Sequence, residues 1–394
     1  MALVRGGFFQ ISLMACCVLA CVAQAQVPRP GGSNKEIPIL FPRVEQEELF
    51  LQSIEAFDAG QTNRMMQLVD QAVAIDPVNG YAYIKRAQLM DLVGNNQRAA
   101  ADYTSALTCV GTDPKFADIY QMRGCAFFKV GNLRAAVGDW ATFLRMKPEK
   151  EAEHWQIGVA YALLGSHEEA RKQLEWHWTV NSGDMEVAFW HYLSVARMEG
   201  VDQARAALRE IDGEERVPMN KLYELYQGKA TEGDVWLAVA EGNPDAAEQM
   251  RRKFFAHLYL GLHKQAAGQL TAAKAEIRKA LDIALVNEGY IGDSPGGQLR
   301  GGDIARVHHQ QLQRMIAEQQ AWLEAGQPKD SSGTFVAYGV ALAGLGGLIV
   351  WGLRAQRRRS PGEDAAFEAD EPSPEPEPER VEDTEPEPKL AGKS

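Results

Sequence analysis

The spacing of one set of glycines constrains the fold of this chain more than any other feature. These glycines follow one another at steps of 34, 37, 34, 35 and 68 residues, and the last step is twice 34. They are Gly60, Gly94, Gly131, Gly165, Gly200 and Gly268. Each lies between two short amphipathic stretches, as in "YQMRGCAFFKVGNLRAAVGDWATFLRMKP" from Tyr120 to Pro148. Because self-similarity at a fixed period is the signature of a repeat architecture, the sequence predicts a stack of helix pairs.

The residues around these glycines resemble the tetratricopeptide repeat, a helix–turn–helix unit of about 34 residues. Small residues such as Gly124 and Gly158 lie where two helix backbones must approach, and Pro148 closes a second helix because it cannot donate the helical hydrogen bond. The sequence therefore predicts an all-α tetratricopeptide solenoid. Its expected parts are regular units over 45–212, an irregular helical unit over 213–250, and a last unit with a C-terminal helix over 251–327. Within the irregular unit, Thr231–Asp234 is typical of a capping box.

The N-terminus has the organisation of a secretory signal peptide over residues 1–25, followed by a linker over 26–44. Arg5 precedes an apolar run, which ends at the small-residue site Ala23-Gln24-Ala25. Cys16 and Cys21 each end a tetrapeptide that resembles a lipobox, so lipidation is the alternative to the ordinary cleavage that we favour. Both alternatives predict that the repeats are extracytoplasmic.

A second apolar run, over 334–353, contains no charged residue. At about 1.5 Å rise per residue, a helix of this length spans a bilayer core of about 30 Å. Arginines follow at once in "RAQRRR", so the positive-inside rule places the tail in the cytoplasm. We therefore predict a single-pass protein of the bacterial inner membrane with its repeats in the periplasm. Gly339, Ala343 and Gly347 would share one face of this transmembrane helix, a spacing that permits close helix packing and a homodimer.

Residues 354–394 form a basic flank and then an acidic, proline-rich tail. The tail from Ser360 holds twelve acidic and three basic residues, a net charge of −9 out of −12 for the whole chain. Alternating Glu and Pro cannot bury a core, so the sequence predicts a disordered tail. It would serve as a spacer or as a docking strip for a basic partner. The remaining residues carry a net charge of only −3, and we predict no nucleic-acid partner.

Motifs for catalysis are missing from the sequence. It contains no P-loop, no GxSxG and no HExxH, and the adjacent His308 and His309 point about 100° apart on a helix. Cys109 and Cys125, the cysteines beyond the signal segment, are predicted to lie too far apart for a disulfide. The sequence therefore predicts a protein that is not an enzyme and that holds no metal or cofactor.

The repeat register predicts which side chains line the inner face of the solenoid, where such proteins bind partners. Counted from fourteen residues before each turn glycine, the fifth, ninth and twelfth positions face this groove. The predicted partner-binding residues are Phe50, Ile84, Gln121, Phe128, Trp155, Val159 and Trp190. This apolar lining predicts a protein or peptide partner. The alternative is that the helix over 303–324 folds back and fills the groove.

Two stretches, "WHYLSVARMEGVDQARAAL" and "FFAHLYLGLHKQAAGQLTAAKAEIRKALD", resemble repeats of the NlpI-type tetratricopeptide lipoproteins of Gram-negative bacteria. The resemblance implies a non-enzymatic periplasmic adaptor that recruits cell-wall hydrolases or a protease. The predicted membrane segment and the acidic tail depart from that family. The alternative function is a structural subunit of a bacterial envelope secretion or assembly complex.

Overall fold

The computed structural model describes residues 43–211, 216–286 and 299–324, and the backbone of 338–343 and 347–352. The predicted signal peptide, most of the linker and the basic and acidic tail lie outside the described residues. The helices are α1 (Val44–Asp58), α2 (Thr62–Ile75), α3 (Gly80–Leu92), α4 (Asn96–Val110), α5 (Ala117–Lys129), α6 (Leu133–Met146), α7 (Trp155–Leu164), α8 (His167–His177), α9 (Met185–Glu199), α10 (Val201–Ala206), α11 (Met219–Tyr226), α12 (Glu232–Ala240), α13 (Ala246–Ala266), α14 (Leu270–Val286) and α15 (Gly301–Glu324).

Consecutive helices form the predicted pairs, from α1 with α2 to α13 with α14, and neighbouring pairs pack on one another. Every glycine of the 34-residue spacing lies in a turn inside a pair and has a positive φ, between 71° and 99°. Glycine is favoured at such positions because a Cβ would strain this left-handed conformation. The repeat interpretation of these glycines is therefore confirmed.

Close helix contact inside a pair explains the small residues of the repeat. A Cβ built on Gly124 of α5 would lie 2.5 Å from Nε1 of Trp140 in α6, and Trp140 is fully buried. Beside this contact, the guanidinium of Arg123 donates two hydrogen bonds of 2.7 Å to Asp139. The preceding pair repeats this link with Arg86 and Asp102, again sixteen residues apart.

The irregular unit is also a helix pair, α11 with α12, joined at Gly228 with φ 75°. Thr231 begins α12 through the predicted capping box. Its hydroxyl accepts from the Asp234 N–H, and the Asp234 carboxylate accepts from the Thr231 N–H at 2.8 Å. This box satisfies N–H groups that a helix N-terminus otherwise leaves without partners.

The core is divided into two hydrophobic clusters that meet at α5. Ile119 and Ala126 belong to the cluster of the first two pairs, while Cys125 and Phe128 belong to the cluster of the remaining pairs. Helix α5 therefore connects the two halves of the solenoid.

The predicted transmembrane helix over 334–353 is not what the structure shows. Strands β1 (Tyr338–Ala343) and β2 (Gly347–Gly352) pair antiparallel there, with Gly339 opposite Trp351 and Ala343 opposite Gly347. Five of the twenty residues of this run are glycine, and each costs a helix interior about 1 kcal/mol relative to alanine. In these strands Gly339, Ala343 and Gly347 do not lie on a helix, so their use as a packing face, and the homodimer that it would permit, stay predictions. Among the residues that the structure describes, no helix has the length and apolar character needed to cross a membrane.

Candidate functional site on the inner face

The first helices of successive pairs lie side by side and form one face of the stack. The Tyr81 ring of α3 lies 6.2 Å from the Phe50 ring of α1, and its hydroxyl donates to Glu47 Oε2 at 3.0 Å. Further along, Nε2 of Gln88 lies 3.8 Å from the sulfur of Met122 in α5. This is the inner face of the solenoid, the surface on which such repeats present binding residues.

All seven predicted partner-binding residues belong to these first helices, but the structure buries several of them. Trp190 is only 2% exposed and Phe128 and Val159 are fully buried. Phe50 is also buried, while Ile84, Gln121 and Trp155 are half-buried. The expected open stripe through the two tryptophans is therefore interrupted at Trp190. The role of these residues in partner binding stays a prediction.

Helix α15 covers the inner face over the later pairs. It packs along α14 and also contacts α5 and α7. The His308 ring of α15 lies 5.5 Å from the Trp190 ring of α9. His308 Nε2 lies 2.5 Å from Oε1 of Gln265 in α13. In this part of the structure the C-terminal helix therefore folds back into the groove, as the alternative from the sequence expected.

A buried charge cluster holds the N-terminal end of α15 against α5, and we call it the ionic junction. Lys129 Nζ donates to both carboxylate oxygens of Asp91, at 2.8 and 2.9 Å, and both side chains are only 7% exposed. The Arg306 guanidinium donates to Asp303 Oδ1 at 2.9 Å and to the backbone oxygen of Lys129. Burial raises the pKa of Asp91 against the attraction of Lys129, and the Asp303 carboxylate raises it further. The junction thus joins α3, α5 and α15 through two carboxylates and two cationic side chains.

The buried titratable groups of this face are suited to packing. Burial lowers the pKa of His308 to about 3, so the ring is neutral at physiological pH. Burial also raises the pKa of the Cys125 thiol to about 12, which keeps it a thiol and not a nucleophilic thiolate. The buried His154 ring lies 5.3 Å from the Trp140 ring. Within the described residues, no three His, Cys, Asp or Glu side chains are arranged to hold a metal ion.

The inner face stays open over α1 and α3, and we call this part the open section. Ile54 of α1 is 38% exposed. On α3, Ile84 is half-buried and the Lys85 ammonium lies 5.3 Å from the centre of the Tyr81 ring. Burial lowers the pKa of Lys85, against the opposing effect of the nearby Glu47. An apolar surface with one amine is therefore available to a partner.

Two inner-face residues were not predicted from the sequence. Lys85 and Met122 directly follow Ile84 and Gln121, the fifth positions of their units. The signal was present, because each is a large side chain next to a position already assigned to this face.

No family model matches the chain. Among solved structures, the chain is similar to a tetratricopeptide repeat protein from Parabacteroides merdae, with 16% identity and a TM-score of 0.43 over 68% of this chain and 99% of that one. It is similar to YrrB, described as a TPR protein with an unusual peptide-binding site, with 19% identity and a TM-score of 0.31 over 55% of this chain and 91% of that one. It is also similar to the P58(IPK) TPR domain, with 13% identity and a TM-score of 0.23 over 70% of this chain and 99% of that one.

These TM-scores are all below 0.5, so the class of the protein rests on its own helix pairs and turn glycines. They define a solenoid of tetratricopeptide type whose inner face is partly filled by its own C-terminal helix. The resemblance to the NlpI-type lipoproteins is not confirmed by these structures.

Proposed function

We propose that this chain is a non-enzymatic adaptor that binds a protein or peptide partner on the open section of its inner face. The observation that carries the proposal is the exposure of Ile54 together with the half-buried Ile84, on the face where solenoids bind their partners. Exposed apolar clusters mark binding surfaces, because leaving them in water costs free energy that a partner recovers.

The proposal includes an extracytoplasmic location with attachment to the membrane. It rests on the sequence alone, through the signal-like residues 1–25 and the uncharged apolar run over 334–353 that precedes the arginines, although the structure pairs this run as β1 and β2. The partner class that we propose, envelope or cell-wall enzymes, comes from the NlpI-type resemblance alone. Protease protection in intact spheroplasts tests the location. A C-terminal tag should survive while the repeats are digested, and digestion of the tag would reverse the orientation.

Site-specific photocrosslinking in cells tests partner binding on the open section. A photoreactive amino acid replaces Ile84 in the full-length chain, and a matched control replaces Leu237, which is 72% exposed on α12. We expect discrete crosslinked partners from position 84 that disappear when Ile54→Ser is added to the same chain. Crosslinks that are identical at both positions, or that persist with Ile54→Ser, would contradict binding on the open section.

A second candidate function is a structural subunit of an envelope complex. The observation that favours it is α15, which occupies the inner face over the later pairs and removes that surface from partners. Deletion of residues 360–394 separates the two functions. The deletion should disrupt the complex if the chain is a structural subunit, and should leave the crosslinks at position 84 unchanged if it is an adaptor.

A further inference from the structure

Helix α1 ends the described solenoid with a face that no other helix covers. One side of α1 packs on α2 and α3, through contacts such as Phe50 with Tyr81. On the opposite side, Val44 is 82% exposed and Leu51 is 54% exposed. Residues seven apart differ by only about 20° around a helix, so these two side chains form one stripe. Terminal units of a solenoid normally present a polar outer face, and this stripe departs from that rule.

The stripe is bordered by acidic residues. Helix α1 contains five carboxylates and no lysine or arginine. Glu48, Glu55 and Asp58 are exposed on the same side as the stripe. Among the described residues, none of these three forms a salt bridge. The face therefore combines an apolar centre with an unbalanced negative rim.

We infer that the outer face of α1 is a docking surface for a basic amphipathic helix of a partner protein. The partner helix would lie along α1 as the second helix of a preceding repeat would. Its aliphatic side chains would cover Val44 and Leu51, and its lysines or arginines would meet Glu48 and Glu55. This surface is separate from the open section, because it lies on the side of α1 that faces away from α3.

Charge complementarity selects this occupant over a second copy of the chain. Two α1 faces brought together by a two-fold axis would place acidic rims against each other, and like charges at an interface are repulsive. A basic helix removes this repulsion and neutralises the rim. Burial of the stripe supplies affinity, and the charges supply orientation and rate of association.

Fluorescence anisotropy with the purified full-length chain tests the inference. The probe is a labelled 18-residue peptide with leucines at helical spacing and lysines elsewhere, and its control carries glutamates in place of the lysines. We expect the lysine peptide to bind and the glutamate peptide not to bind. Leu51→Gln should weaken binding about tenfold, since it removes about one aliphatic contact. Glu48→Gln with Glu55→Gln should weaken it about fivefold at low salt and flatten its salt dependence.

Leu237→Gln is the matched control, because Leu237 is also strongly exposed but lies on α12. This variant should bind the lysine peptide like the wild type. Leu51→Gln should keep its helical circular dichroism, since the position is exposed and glutamine is a good helix former. Binding that Leu51→Gln leaves unchanged would overturn the inference.

Two further outcomes would overturn the inference in favour of another occupant. If the lysine peptide binds only after residues 26–42 are deleted, the chain's own preceding segment covers the face. If light scattering shows a dimer that Leu51→Gln dissociates, the face is an interface between two copies. Neither outcome affects crosslinking at position 84, so this inference and the proposed function fail independently.

Discussion

Replacing Lys129 by methionine tests the ionic junction most directly. The substitution keeps most of the unbranched side chain but removes the ammonium that donates to both Asp91 oxygens. Asp91 is then left buried without its cation, while the Asp303 carboxylate that repels it remains. Removing one partner of a buried ion pair costs about 3–5 kcal/mol, because the other charge stays desolvated.

Protonation of Asp91 sets an upper limit on this loss. The variant can avoid a buried carboxylate by folding with Asp91 protonated. Protonating Asp91 costs about 1.4 kcal/mol of folding free energy for each pH unit above an unfolded-state pKa of about 3.9. The limit is therefore about 4 kcal/mol at pH 7 and about 1.5 kcal/mol at pH 5. The sign follows from the raised pKa of native Asp91. Its contribution is favourable below the unfolded-state pKa and is lost as the pH rises through the native pKa.

Urea denaturation followed by tryptophan fluorescence at pH 7 and pH 5 measures both quantities. Lys129→Met should lose about 3–4 kcal/mol at pH 7 and less than half of that at pH 5. Adding Asp91→Asn removes the buried charge and should restore part of the loss at pH 7. Lys172→Met is the control, because the Lys172–Glu168 pair is exposed and its removal should leave the free energy of unfolding nearly unchanged. A loss below about 1 kcal/mol at pH 7, or one equal at both pH values, would refute the argument from desolvation.

Three other substitutions test the packing of the solenoid. Trp190→Ala should lower the free energy of unfolding by about 3–5 kcal/mol and expose α15 to limited proteolysis. Trp155→Ala, at a half-buried position, should lower it by less. Equal losses in the two variants would contradict the placement of α15. Gly124→Ala should lower the thermal midpoint and the free energy of unfolding, the latter by about 1–2 kcal/mol, because its Cβ would meet the buried Trp140 indole. A higher thermal midpoint would show that the two helices of the pair can move apart. In thermal unfolding, Thr231→Ala should lower the free energy of unfolding by about 1 kcal/mol, while Thr231→Ser should leave it almost unchanged. Equal effects of the two substitutions would exclude the capping box.

The repeat fold was predictable because its signals are local. Each turn requires a glycine with positive φ, and each pair requires a small residue where its helices meet, as at Gly124. Such requirements recur about every 34 residues, so they can be recognised in a single sequence. The capping box at Thr231 was predictable for the same reason, because it involves residues only three apart.

The state of the inner face was not predictable, because it depends on contacts between distant parts of the chain. The repeat register assigned Trp190 to the correct helix, but its exposure is decided by His308, more than a hundred residues later. Amphipathic character alone left open whether the C-terminal helix fills the groove or leaves it to a partner. The apolar run over 334–353 was ambiguous for another reason. Its length fits a membrane helix, whereas its glycines and residues such as Val340 and Ile349 fit the strand pairing that the structure shows.

Helix α15 changes the mechanics of the solenoid. In a simple repeat stack each unit contacts only its neighbours, so the stack bends and stretches like a spring. The hydrogen bond from Arg306 to Lys129 joins residues 177 positions apart and makes α15 a chord across the arc from α5 to α14. A chord fixes the curvature of the arc that it spans. The pairs before α5 lie outside the arc from α5 to α14 and meet it through Asp91 of the ionic junction, so we expect bending on partner binding mainly in the arm that carries the open section.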